Sequence, residues 1–346
     1  MISVTRLFRL GIRIAAWATP HVKEWQRQRN LNVTEAERHL AAKNWSEAEQ
    51  YLVLALAESR HSTKRRVDLT LQLVQAQCRQ GNLEQGEQSV RTAIHSAVQA
   101  KDQVLRSRAL TSLVDVQLEQ KKYDEVEQTI REIDALESAQ RTPDRARMAL
   151  CARKLGTAYL NSGRTKEAFG AFQHAAHLSE QAFGPNHEHT AQSFAELGML
   201  SRQHGQHAEA QRCLRRALEI HRVATGDESH ESTQASYHLA ASLEESGDLD
   251  GAAGEYERML RLKDRQVGGN RQEATDVQVR LAALYVKAGR IAPARELLMN
   301  AIGALERKGG EQLAQALEIF AEVEDCSGHP VEAQQWRERA AEIAAG

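Results

Sequence analysis

The sequence predicts an all-α solenoid of about eight antiparallel helix hairpins. Three observations carry that reading. A helix-turn-helix pattern occurs four times at a constant interval of 42 residues. The composition is 41% hydrophobic but only 5% aromatic, which suits a core of Ala and Leu spread along stacked hairpins. No alternating apolar and polar run of useful length signals a strand.

The pattern is clearest over Leu155 to Ala175, LGTAYLNSGRTKEAFGAFQHA. Leu155, Gly156 and Tyr159 share one helical face, Gly163 breaks the helix, and Ala168, Phe172 and Ala175 form a second face at steps of four and three. Adding 42 gives Leu197, Gly198, Gly205, Ala210, Leu214 and Ala217. The next two copies are Leu239, Ala240, Gly247, Ala252, Tyr256 and Met259, then Leu281, Ala282, Gly289, Ala294, Leu298 and Ala301. Gly184, Gly226 and Gly268 keep the same interval in the connectors, as expected where a helix ends in a left-handed residue.

Small residues at two fixed places and a turn glycine resemble the tetratricopeptide family, whose usual period is about 34 residues. The longer interval, with a connector such as FGPNHEHTAQ over Phe183 to Gln192, resembles the kinesin light chain repeats. That resemblance covers hairpins four to seven and implies a right-handed superhelix with a concave ligand groove. One feature departs from it. Kinesin light chain repeats usually carry asparagines just before the first-helix leucine, whereas here those places hold Arg153-Lys154, Ala195-Glu196, Tyr237-His238 and Val279-Arg280. Only the scaffold role is carried over.

Residues 1–33 read as a basic amphipathic helix and linker. Ile2 to Ala18, closed by Pro20, sets Arg6, Arg9 and Arg13 against Leu7, Phe8, Leu10, Ile14 and Trp17. Arg13 and Pro20 leave no run of the roughly 18 apolar residues that a spanning helix needs, and the apolar stretch is too short for a secretory signal. Two readings stay open for Arg6, Phe8, Arg9, Arg13 and Trp17: an arm lying on anionic lipid, or a helix docked on the solenoid's first hairpin or on a second copy.

The solenoid is expected over 34–346. Irregular hairpins occupy 34–140, the regular repeats 141–305 and a capping hairpin 311–345. Capping boxes at Thr34 to Glu37 and Ser46 to Glu49 are expected to start the first two helices, and Thr142-Pro143 to start the first regular repeat. Ala48, Gly86, Val126 and Ala168 fall at equivalent places 38, 40 and 42 residues apart, so the early hairpins drift in length. In the last hairpin, Glu332, Gln334, Gln335, Arg337, Glu338 and Arg339 give the polar outer face of a terminal repeat.

The net charge of −2 divides into +5 for residues 1–30 and −7 for the rest, so the repeat body lacks the basic stripe that nucleic acid demands. An RNA-binding helical repeat is therefore the alternative, not the favoured reading. Cys78, Cys151, Cys213 and Cys326 are too far apart for a metal knuckle or redox motif, which points to neutral thiols in a reducing, cytoplasmic compartment, peripheral at the membrane if the arm binds lipid. His187 and His189, His174 and His177, and His204 and His207 have ligand-like spacing, but no cysteine lies close in sequence. No nucleophile elbow, phosphate loop or dinucleotide fingerprint is present. Neither a catalytic residue, a metal site nor a cofactor is expected.

The expected function is a non-catalytic scaffold that binds a peptide or helix of a partner protein. The groove positions lie two before and two and five after the repeated leucine. Arg153, Thr157, Leu160, Met199, Arg202, Tyr237, Glu244 and Val286 are the candidates. Arg153, Met199, Arg202 and Tyr237 are the most ligand-like, combining cation, soft apolar surface and ring.

Overall fold

The computed structural model describes residues 31–345, apart from 60–61, 225, 228, 266–270 and 307–308. Residues 1–30, including the whole basic arm, and Gly268 therefore lie outside the described residues. The described residues form α-helices and no strand, as expected. No helix among them is long and apolar enough to cross a membrane.

The chain divides into two compact units, Met1–Ala171 and Phe172–Gly346. The first contains residues 31–41 (α1), Trp45–Glu58 (α2), Thr63–Arg79 (α3), Leu83–Gln99 (α4), Gln103–Glu119 (α5), Tyr123–Ser138 (α6) and Arg145–Asn161 (α7). Helix α8, Thr165–Phe183, runs through the boundary. The second unit continues with Glu188–Gln203 (α9), His207–Ala224 (α10), His230–Glu245 (α11), Leu249–Arg265 (α12), Arg271–Lys287 (α13), Ile291–Leu305 (α14), Glu311–Cys326 (α15) and Pro330–Ala345 (α16). Among the described residues the order is that of eight successive hairpins, with the odd-numbered helix first in each.

One backbone device closes every hairpin. A residue with positive φ follows the first helix, and the next N–H reaches back to a carbonyl five residues earlier. These bonds are Asn44 to His39 (2.9 Å), Asn82 to Gln77 (2.9 Å), Lys122 to Gln117 (2.9 Å) and Arg164 to Tyr159 (2.8 Å). The second unit repeats them at Gln206 to Ser201 (2.9 Å), Asp248 to Leu243 (2.9 Å), Arg290 to Tyr285 (2.7 Å) and His329 to Glu324 (2.9 Å). Glycine supplies the positive φ in six turns, from Gly81 to Gly328. Lysine does so in two, at Lys43 (φ 59°) and Lys121 (φ 60°), where a side chain makes the left-handed conformation costlier.

Equivalent core positions behave alike. Ala48, Val126, Ala168, Ala210, Ala252, Ala294 and Ala333 have no exposed surface, so each second helix packs closely at this point. Phe172, Leu214, Tyr256 and Leu298 are buried at the place four residues later. Where glycine stands on the facing first helix the fit is tightest: a Cβ on Gly198 would lie 2.7 Å from Leu214 Cγ and 3.2 Å from the Ala210 carbonyl oxygen. The second unit carries one continuous apolar core from Ala210 to Ala340, whereas the first carries smaller clusters.

Three expected helix starts are corrected. The chain is already helical at residue 31, so Thr34 lies inside α1; buried Asn32 donates to Glu58 Oε1 at 3.1 Å and so fastens α1 to the end of α2. Asn44, not Ser46, holds the cap position of α2. Before α7 the cap is Asp144, whose Oδ1 accepts from Arg147 N at 3.0 Å, and Pro143 stays outside the helix. The shift has a local cause. Fully buried Glu137 accepts from the Asp144 N–H at 2.9 Å and from Ser107 Oγ at 2.5 Å, and also pairs with Arg147, which fixes where the connector ends.

Two substitutions test this account by chemical denaturation. Lys121→Gly relieves the left-handed strain and is expected to stabilise the protein by about 1 kcal/mol. Gly198→Ala forces the Leu214 contact and is expected to cost about 1–3 kcal/mol.

Candidate functional site

In the first unit, helices α1, α3 and α5 border an open groove of about 1040 Å³. Its floor is partly apolar, with Leu71, Val74 and Val116, and carries the amide of Gln72. The same helices that build the core present this face, because residues three and four apart on α3, Arg65, Asp68, Gln72, Gln75 and Arg79, fall on one side of it. Helix α5 contributes Arg108, Ser112, Asp115 and Glu119, and α1 contributes Glu37.

Part of this polarity is consumed by the fold. Arg108 pairs with Asp68 at 2.8 Å, joining α5 to α3, and Lys154 pairs with Asp115 at 2.5 Å, joining α7 to α5. Glu37, Arg65, Arg79 and Glu119 make no ion pair among the described residues. Cys78 lies half-buried in the groove wall, its thiol pKa raised first by burial and then by Glu119 and Asp115, so it is a poor nucleophile there. Burial raises Cys151 to about 11 and Cys213 to about 12, leaving both as inert apolar groups. Cys326 alone is exposed.

A second set of charges lines the turn edge of the first unit. Glu87 on α4 accepts from Lys122 at 2.8 Å and from Arg91 at 2.6 Å. One hairpin later, Glu127 on α6 accepts from Arg164 at 2.6 Å and pairs with Arg131. The hydrogen bonds from Lys122 and then Arg91 hold Glu87 down at about 2. Arg164 lowers Glu127 in the same direction. Arg164 also lies 4.3 Å from the Tyr159 ring centroid, an arrangement repeated by Arg290 over Tyr285 at 3.9 Å. The Glu87 and Glu127 pairs tie α4 and α6 each to the turn of the following hairpin.

The residues expected to line a groove divide between the two units. Arg153, Thr157 and Leu160 lie on α7; Thr157 Oγ1 donates to the Arg153 carbonyl at 3.2 Å and Leu160 is exposed. In the second unit, Met199 and Val286 pack against the core and are only partly exposed. Arg202 and Tyr237 bond to neighbouring first helices, Arg202 to Glu245 at 2.5 Å and Tyr237 Oη to Asp276 at 2.8 Å, while Glu244 forms a longer ion pair with Arg280 at 3.7 Å. Arg280 also lies 5.4 Å from the Tyr237 ring centroid and 3.6 Å from Asp276. Helix α11 is thus bridged on both sides by polar contacts.

Sequence reasoning missed the set on α3 and α5, since it sought the groove only in the regular repeats. A signal existed: Arg65, Asp68, Gln72, Gln75 and Arg79 form a polar stripe at helical spacing. The histidines of the connector have structural roles. His187 caps α9, its Nδ1 accepting from the His189 N–H at 3.2 Å, and stacks on Phe183 at 4.9 Å.

A family model described as tetratricopeptide repeat matches residues 147–222, which are α7 to α10 with their connectors. Over these residues the chain is similar to tetratricopeptide repeats. Among solved structures with this fold, a signal transduction ATPase with a tetratricopeptide repeat sensor from Pyrococcus horikoshii aligns with TM-score 0.66 and 12% identity, over 92% of this chain and 47% of that one. The apo form of the quorum sensor NprR from B. thuringiensis gives TM-score 0.53 and 12% identity, over 98% and 95% of the two chains. A putative kinesin light chain from Podosopora anserina, with nearly identical TPR-like repeats, gives TM-score 0.50 and 20% identity over 59% and 97%. Identities this low speak to the fold alone. No curated protein matches the chain in sequence.

The depressed carboxyl of Glu87 makes a pH-dependent contribution with a definite sign. Its folded value of about 2 lies below the ordinary 4.5, so the stabilisation is present above 4.5 and is lost as pH falls toward 2. Denaturant midpoints are expected to fall between pH 5 and pH 3, and Glu87→Gln to flatten part of that fall.

Proposed function

We propose that this chain is a non-catalytic scaffold that holds an extended segment of a partner protein across the first helices of its hairpins, chiefly over α1, α3 and α5. The observation that carries this reading is the open groove of the first unit, whose volume of about 1040 Å³ is at the upper end for small-molecule pockets. Its unpaired charges, Glu37, Arg65, Arg79 and Glu119, have both signs. They favour a ligand with alternating charge and a few apolar side chains rather than a polyanion. Arg202, Tyr237 and Glu244 serve this reading less directly, because their polar groups already bridge neighbouring first helices.

The solved quorum sensor and the ATPase with a tetratricopeptide repeat sensor share this fold, and their names as sensors are in keeping with the reading. A reaction would need a nucleophile aligned with a base, and the buried thiols of Cys151 and Cys213 are raised far from that role.

The reading is tested by affinity capture from the native cell with the full chain, the charge reversals Arg79→Glu and Glu119→Arg, and Arg212→Glu on α10 as a control. Both groove residues are exposed, so the fold is expected to survive. Partner recovery is expected to fall at least about fivefold for each groove reversal and to stay unchanged for the control, a change of about 1 kcal/mol. Equal recovery by all four proteins, at equal helicity, would overturn the reading.

A further inference from the structure

The first hairpin exposes apolar surface where its chain enters. Leu31, Val53 and Leu54 are each 51% exposed. On α2, Val53, Leu54 and Ala57 lie on the side opposite the buried Ala48, Leu52 and Ala55. Leu31 lies nearby, one residue before Asn32, whose side chain bonds to Glu58 at the end of α2. The last hairpin differs: the exposed side of α16 carries Glu332, Gln334, Gln335, Arg337 and Glu338, with Val331 its one large exposed apolar residue. The first half of the exposed side of α2 is polar, with Ser46, Glu47 and Gln50, so the apolar surface is confined to its last turns, and that patch calls for a cover.

The thirty residues that precede Leu31 have the chemistry of that cover. Ile2 to Ala18 places Leu7, Phe8, Leu10, Ile14 and Trp17 on one helical face. As a helix these 17 residues would span about 25 Å, against about 21 Å for the 14 residues of α2. The twelve residues 19–30 reach up to about 40 Å, ample for the chain to turn back on the hairpin it enters. Charge agrees as well: residues 1–30 carry +5, and residues 31–58, with Glu35, Glu37, Glu47, Glu49 and Glu58 against Arg38 and Lys43, carry −3.

We propose that residues 2–18 fold back as an amphipathic helix and cover the patch formed by Leu31, Val53, Leu54 and Ala57, completing the first hairpin from within the same chain. The apolar face of the arm meets α2, and Arg6, Arg9 and Arg13 lie toward the acidic rim and solvent. The arm is then an intramolecular cap, and its apolar face is withheld from lipid.

Hydrogen exchange of the full chain, free of lipid, tests the proposal. Amides of residues 2–18 are expected to exchange at least about tenfold more slowly than an unstructured peptide. The protection should be the same at low and high protein concentration. The double substitution Val53→Asp with Leu54→Asp should abolish it while α3 to α6 keep their own. Phe8→Asp, made in the arm, should release the arm and leave α2 protected, which separates loss of docking from loss of the hairpin. Four results would overturn the proposal: exchange of the wild-type arm at the free-peptide rate, protection that survives both sets of substitutions, protection that appears only with phosphatidylserine vesicles, or protection that rises with protein concentration. The third would make an anionic membrane the occupant, and the fourth a second copy.

Discussion

The hairpins rest on close approach of two helices at a point where a small side chain recurs, Val126 being the larger exception. Ala48, Ala168, Ala210, Ala252, Ala294 and Ala333 all lose their surface completely at that crossing, and the larger apolar residues four places on, such as Leu214 and Leu298, fill the space beside it. Close packing of this kind is unforgiving of volume, since interior density leaves no room for an added methyl. Where the facing helix brings Gly198 instead of alanine, the Leu214 side chain takes the vacant space. The same crossing sets the register of the turn, so the closing bond from the third residue after the first helix recurs in all eight hairpins of the described residues.

Once that geometry is set, the polar residues are sorted by where it puts them. In the second unit the exposed sides of successive first helices come near enough for Arg202 to reach Glu245 and for Tyr237 to reach Asp276. In the first unit Arg108 and Lys154 make similar bridges to Asp68 and Asp115, yet α1, α3 and α5 still leave a groove with charges of both signs unpaired. Bridging contacts between exposed groups are each worth little, at most about 1 kcal/mol, so they orient neighbouring helices rather than hold them together. Apolar burial does the holding. The absence of the asparagine ladder of kinesin light chain repeats fits this distribution: at those places Lys154, Tyr237 and Arg280 bridge to a neighbouring first helix.

Much of the architecture was legible in the residue pattern. The glycines at 163, 205, 247 and 289 marked turns because a left-handed residue is needed there, and the small and large apolar positions followed a fixed offset from them. Boundaries were less legible. Thr34, Ser46 and Thr142 have capping chemistry, but the helices begin elsewhere because contacts distant in sequence decide the matter: Asn32 with Glu58, and Asp144 with Glu137. The irregular hairpins also concealed a groove, since their lengths differ and lysine stands in two turns where glycine was the recognisable sign.

The sequence by itself determined the unit of construction. Helix period, turn residue and small crossing residue are all local, within about 20 residues of each other, and their repetition is visible without coordinates. Only the tertiary structure decided which polar side chains are spent and which are available. Arg202 and Tyr237 stood out as ligand-like in the pattern and bond to neighbouring helices, whereas Arg65 and Arg79 drew no notice and face an open groove. The physical reason is that these pairings join residues about 40 positions apart. Their meeting depends on how far one hairpin is rotated and shifted against the next, which the packing of the core sets and no local spacing records.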